Sequence, residues 1–152
     1  MKLTEYASPS TIRVPLVATD KAQAIAKMVD VIVEQGMARS RDELLSAVME
    51  REGQRTTGIG RGFAIPHAKS DTVNKLVLAF GRLAEPIDFA SIDGQPVSLL
   101  AMLISPTSAT TLHIQALARL SRMVTNEAIL DALLSAQSAD AFFKVIADHD
   151  GP

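Results

Sequence analysis

The sequence contains no cysteine. That absence excludes disulfides, thiolate zinc sites and cysteine nucleophiles, and it fits a reducing, cytoplasmic setting. No block of like charge is present either: 15 Lys and Arg stand against 17 Asp and Glu, for a net charge of −2, with both signs mixed along the chain. The electrostatic footprint of a nucleic-acid binder or of a protein that lies on anionic membranes is therefore missing. Residues 1–9 have no apolar core of signal-peptide length. The longest apolar run, residues 97–104, includes Ser98 and is far too short to cross a bilayer. With no repeat and no linker, the 152 residues read as one domain over 1–152, cytoplasmic and not inserted in a membrane.

Hydrophobic periodicity supplies the elements. Residues 12–17 alternate and are β-branched, which predicts a strand that Pro15 confines to a sheet edge. Asp20 with Gln23, and Ser40 with Glu43, have capping-box spacing and open two helices. The first buries Ala22, Ile25, Ala26, Val29, Ile32 and Val33 and stops at Gly36; the second buries Leu44, Leu45, Val48 and Met49 and closes at Gly53. A polar loop is expected over 68–74, a strand over 76–83 and a second loop over 84–95. Residues 97–104 read as a central strand buried on both faces. Three helices follow over 110–125, 126–135 and 139–148. This order predicts an α/β fold in three layers, a mixed sheet with helices on both faces.

Between the second helix and the later strands lies the most unusual stretch, Gly58-Ile59-Gly60-Arg61-Gly62-Phe63-Ala64-Ile65-Pro66-His67. Glycine admits positive φ and close backbone approach, and Pro66 fixes its own φ and extends Ile65. A histidine in a defined orientation at a strand end is the expected product. A dinucleotide fingerprint fails because Phe63 stands where its last glycine belongs. A P-loop fails because Ala68 precedes Lys69-Ser70 and Pro66 and His67 would sit inside it. His67 is then either a nucleophile with a neutral imidazole or a structural histidine bonded to backbone. His113 heads the apolar stripe His113, Leu117, Leu120, Val124, so it faces the interior in the first turn of its helix, as a core residue or beside an anion. The two histidines also make half a metal site, but no third ligand has a suitable spacing. Arg51 ends the second helix, where it serves the helix dipole or clamps an anion. Arg55 and Arg61 read as solvated charge or as docking groups for an acidic partner, and His149 as an exposed terminal residue.

Arg51-Glu52, the run from Thr56 to His67, the segment Ile87-Asp88-Phe89-Ala90-Ser91-Ile92-Asp93-Gly94-Gln95-Pro96-Val97 and Leu112-His113-Ile114-Gln115-Ala116-Leu117-Ala118 carry a family likeness. Over nearly its whole length the chain resembles the EIIA domains of the fructose–mannitol type in the bacterial phosphoenolpyruvate-dependent phosphotransferase system, a type that includes nitrogen-regulatory members. The resemblance implies a phosphohistidine carrier without cofactor or metal. His67 takes a phosphoryl group from HPr and passes it to an EIIB partner, or else the phosphorylation state governs binding to regulatory target proteins. It further implies catalytic roles for His113 and Arg51, a phosphoryl-binding loop at Thr57, Gly58, Gly60 and Gly62, and an apolar docking rim of Ile59, Phe63 and Ile65. Ala68 departs from the pattern, since glycine is frequent after the histidine in relatives.

Overall fold

In the computed structural model, which describes residues 1–150, two short 3-10 turns precede strand β1 (Ile12–Leu16). Helices α1 (Lys21–Glu34) and α2 (Arg41–Gln54) follow. Their N-caps form as expected: the Asp20 carboxylate accepts the Gln23 N–H at 2.8 Å and the Ser40 hydroxyl accepts the Glu43 N–H at 3.2 Å. Neither box closes reciprocally, because Gln23 instead accepts the Thr19 N–H at 2.7 Å and Thr72 accepts the Ser40 N–H at 2.8 Å. Gly36 follows α1 with φ of 72°. Gly53, by contrast, lies inside α2, and the chain leaves the helical region only at Arg55, with φ −166° and ψ 140°.

The strands are β2 (Gly58–Gly60), β3 (Phe63–Ala64), β4 (His67–Lys69), β5 (Val77–Ile87) and β6 (Val97–Ser105). They form one mixed sheet in the order β1-β5-β6-β3-β2, and β4 also pairs with β6. Strand β1 is at the edge, as Pro15 requires. Two expectations are corrected here. The polar loop begins later than expected, since His67–Lys69 is a strand in parallel register with Leu103, Ile104 and Ser105. Strand β5 in turn runs on to Ile87, beyond a shift in its register with β6 after Arg82. Strands β3 and β4 are two pieces of one line along β6: Phe63 and Ala64 face Leu99 and Leu100, and pairing resumes at His67.

Helices α3 (Thr110–Met123), α4 (Glu127–Ser135) and α5 (Ala139–His149) complete the chain. Alternation along β6 divides the core. Leu100, Met102 and Ile104 pack with Ile25, Val29, Leu44 and Val48 of α1 and α2. Leu99, Ala101 and Leu103 pack with Leu120, Leu133, Phe142 and Ile146 of α3, α4 and α5. The sheet therefore lies between two helical layers. Each buried Leu or Ile of β6 contributes about 1.5–3 kcal/mol, so the strand that carries His67 lies against the best-anchored element of the molecule. Two helix faces differ from expectation: in α1 Ala22 is exposed while Ala24, Met28 and Val31 are buried, and in α2 Met49 is 38% exposed while Glu52 turns inward.

Candidate active site

The break between β3 and β4 fixes His67. The Ile65 N–H donates to the Thr57 carbonyl at 3.0 Å, and the Pro66 carbonyl accepts the Leu103 N–H at 3.0 Å. Ile65 and Pro66 are thus pinned on both sides. The Ile65 carbonyl lies 2.7 Å from His67 Nδ1. A carbonyl only accepts, so Nδ1 carries the proton of the neutral ring and Nε2 keeps its lone pair. Burial pushes the His67 pKa below its ordinary value and the Arg51 charge adds to that, against opposition from the Ile65 carbonyl and Glu52. A neutral imidazole with a free Nε2 is a nucleophile.

His113 lies on α3 across a gap, its ring centroid 5.6 Å from that of His67 at an interplanar angle of 64°. It is 5% exposed, and its own N–H goes to the Ala109 carbonyl. Burial, with the charges of His67 and Lys69, pushes its pKa down to about 4. Its Nδ1 lies 2.6 Å from the hydroxyl of Ser105, the last residue of β6. Arg51 donates to the Arg55 carbonyl at 2.9 Å, which closes the end of α2, and also lines the space in front of His67. The two readings of Arg51 are thus compatible.

Two adjoining clefts meet at His67. One, of about 260 Å³, is bordered by Arg51, Thr57, Gly58, Ile59 and Leu117. The other, of about 450 Å³, is bordered by Arg51, Lys69, His113 and Leu117. The glycine hairpin is only partly in the site. Thr57 and Gly58 reach the cleft, whereas Gly60 and Gly62 face Asp93 and the Pro96 carbonyl. Several N–H groups of the hairpin are already bonded: Thr57 to Glu52 at 2.9 Å, Gly58 to the Thr56 hydroxyl at 3.1 Å, Arg61 to Asp93 at 3.1 Å. Gly58 is required for packing, since a Cβ there would meet Ser91 Oγ at 2.2 Å.

The apolar rim is corrected. Phe63 is buried at 1% exposure, because β3 inserts it into the core with Leu99, while Ile65, 2% exposed, still borders the cleft beside His67. Ile59 and Ile92 line the cleft and are exposed. Sequence reasoning passed over Glu52, Ser105 and Ile92. Glu52 is a carboxylate at a helix C-terminus, where the dipole disfavours it, and that misplacement was its one signal. Ser105 in a break carries none. Among the described residues no cluster of three His, Asp or Glu is placed to hold a metal, and no helix is long and apolar enough to cross a membrane. A larger cavity of about 490 Å³, bordered by Arg119, Arg122, exposed His149 and Asp150, includes neither His67 nor His113.

Fold and cleft together define a three-layer α/β protein with a neutral nucleophilic imidazole beside a guanidinium and a second imidazole, equipment suited to group transfer. The model of the "Phosphoenolpyruvate-dependent sugar phosphotransferase system, EIIA 2" family matches residues 5–149, and the chain belongs to that family of phosphoryl-transfer components. It is 42% identical over 128 residues to the fructose-specific EIIA component of Haloferax volcanii, covering 84% of this chain and 83% of that one. Identity is 39% over 150 residues with the fructose-specific EIIABC component of Bacillus subtilis, of which this chain spans only 24%. A nitrogen regulatory protein of Bradyrhizobium diazoefficiens is 35% identical over 147 residues, 97% and 95% of the two chains. Among solved structures, nitrogen regulatory protein IIA-Ntr of Neisseria meningitidis superposes with a TM-score of 0.87 at 28% identity, covering 93% and 97%. The mannitol enzyme IIA of Escherichia coli, solved in complex with phosphorylated enzyme IIB, shares the fold at a TM-score of 0.80 and 21% identity, covering 93% and 97%.

Proposed function

We propose that this chain, acting as one EIIA domain, is a phosphohistidine carrier that accepts a phosphoryl group from phospho-HPr on His67 Nε2 and delivers it to an EIIB of fructose or mannitol type. The observation that carries the reading is the bond from His67 Nδ1 to the Ile65 carbonyl, which leaves Nε2 unprotonated beside Arg51. In the transfer, the Nε2 lone pair forms a bond to phosphorus as the P–N bond of the donor histidine breaks. That electron pair returns to the donor imidazole, which leaves as a neutral ring because its other nitrogen is protonated, and the matching positive charge passes to the His67 ring, whose Nδ1–H stays on the Ile65 carbonyl. Such a reaction needs positioning and charge stabilisation more than covalent help. Arg51 offers a guanidinium for the equatorial oxygens, and His113 offers a further hydrogen bond.

A second reading has its own support. The Bradyrhizobium and Neisseria relatives are nitrogen regulatory proteins, and the former matches nearly end to end. In that reading the same phosphorylation changes which target proteins bind, through the added negative charge at His67. The test begins with phosphoenolpyruvate, enzyme I and HPr, read by intact mass under neutral conditions. One acid-labile phosphoryl group, absent from His67→Ala, is expected; a folded wild-type protein that gains none would overturn both readings. Discharge onto an EIIB then supports transport. A partner that binds the two phosphorylation states with different affinity, with no EIIB discharged, supports regulation.

A further inference from the structure

Ser105 is buried completely at the end of β6, opposite Lys69 in the parallel register with β4. Its carbonyl accepts the Ser70 N–H at 2.8 Å. Its hydroxyl has a single hydrogen-bond partner among the described residues, His113 Nδ1 at 2.6 Å. A serine hydroxyl always has a proton to place. If Nδ1–H donated to the oxygen, the hydroxyl proton would be buried with no acceptor, which folded proteins avoid. The hydroxyl therefore donates to Nδ1, and Nδ1 must carry the lone pair. In a neutral ring the proton then sits on Nε2.

We infer that Ser105 is a positioning residue that fixes His113 in its Nε2–H tautomer, so that the cleft presents one imidazole nitrogen as nucleophile and the other as hydrogen-bond donor. The two rings are set by opposite devices. The Ile65 carbonyl takes the proton of His67 Nδ1 and bares its Nε2. The Ser105 hydroxyl gives a proton to His113 Nδ1 and keeps its Nε2 protonated. Both rings border the same cleft of about 450 Å³. A phosphoryl group on His67 offers acceptor oxygens only, so the donor tautomer of His113 binds it and the other tautomer repels it. The tautomer matters because His113, with a pKa near 4, is neutral in the resting protein and does not donate from both nitrogens.

This inference rests on the phosphohistidine reading for its purpose, but not for its first measurement. The ¹⁵N shifts of the histidine rings at neutral pH are read in wild type, Ser105→Ala and Ser105→Thr, all unphosphorylated. Expected are a pure Nε2–H tautomer for His113 in wild type, a mixture or the reverse in Ser105→Ala, and restoration in Ser105→Thr. A wild-type Nδ1–H tautomer would overturn the proposal, and so would a pure Nε2–H tautomer in Ser105→Ala. The second arm is phosphoryl transfer from HPr. Ser105→Ala lowers kcat by about tenfold, the effect of losing one hydrogen bond in the transition state, with KM for HPr unchanged and Ser105→Thr close to wild type. A kcat for Ser105→Ala equal to wild type, in a protein that does become phosphorylated, also sinks the idea. If no variant is phosphorylated but the tautomers behave as described, the carrier reading fails and the role of Ser105 on His113 stands.

Discussion

An imidazole that is buried next to other potential cations holds its neutral form at a cost that appears only in acid. His113 titrates near 4 in the folded protein and near 6.5 when unfolded. Between those values the unfolded chain binds a proton that the folded one refuses, so the folded state loses stability as pH falls from about 6.5 toward 4 and regains it as pH rises. The depression corresponds to a loss of about 2–3 kcal/mol by pH ~4.5. Urea unfolding of wild type and His113→Gln at pH 7 and at pH ~4.5 checks this. The wild-type loss on acidification should exceed that of the variant by about 2 kcal/mol, and equal losses would contradict the burial argument. At this scale the sequence disclosed which side chains carry chemistry but not how each is held. Pro66 before His67, and the helical stripe from His113, were visible in residue order. The carbonyl of Ile65 and the hydroxyl of Ser105 were not, because each acts through the geometry of a strand end.

Helix α2 contributes to the cleft through two adjacent residues that point different ways. Arg51 reaches the clefts, while Glu52 is 5% exposed and faces inward. The Glu52 carboxylate accepts the Thr57 N–H at 2.9 Å and the Thr57 hydroxyl at 2.6 Å, and it pairs with Lys21 of α1 at 2.6 Å. Lys21 in turn lies 4.8 Å from the centroid of the Phe89 ring. One carboxylate thus ties α1, α2 and the segment that leads into β2. Glu52→Gln keeps the shape and one acceptor but leaves Lys21 without its counter-charge. Since Lys21 remains a quarter exposed and can rehydrate, the loss should be about 1–3 kcal/mol, below the range for a fully buried pair. Chemical denaturation measures it, and a change within ~0.5 kcal/mol would make the tie dispensable. Most elements were legible because their periods are regular: α3, α4 and α5 begin within a residue of where the apolar spacing puts them. The exceptions were β2, whose Gly-Ile-Gly reads as a turn, and β4, whose His-Ala-Lys composition has no strand signature. Strand β4 forms because β6 offers it an edge, a fact that belongs to the sheet and not to the segment.

Across the whole molecule, the large apolar side chains left in solvent are unevenly placed. Ile59 and Ile92 line the cleft at His67, whereas the exposed Ile114 and Met49 border neither cleft. Val17, 61% exposed, stands apart in a groove bordered by Arg13, Lys27 and Glu34 that contains none of the cleft residues. Scattered apolar residues need no explanation, but a cluster around a reactive group marks a contact surface. Arg51, Arg55 and Lys69, against Glu50, border the same clefts, so the surface is apolar with a fringe of net positive charge. A carrier must dock with donor and acceptor in turn and let each go, which favours a small interface with few anchors. Ile92, 66% exposed, has little to lose in the free protein. Ile92→Asp should therefore change folding stability by no more than ~0.5 kcal/mol, while KM for phospho-HPr rises about tenfold, the effect of removing one apolar anchor worth about 1.4 kcal/mol. Val17→Asp, equally exposed but remote, should leave both KM and kcat at wild-type values. Steady-state transfer kinetics with the two variants side by side decide the matter. If Val17→Asp weakens transfer as much as Ile92→Asp does, the partner does not read the surface around His67, and the cluster of isoleucines there has no part in docking.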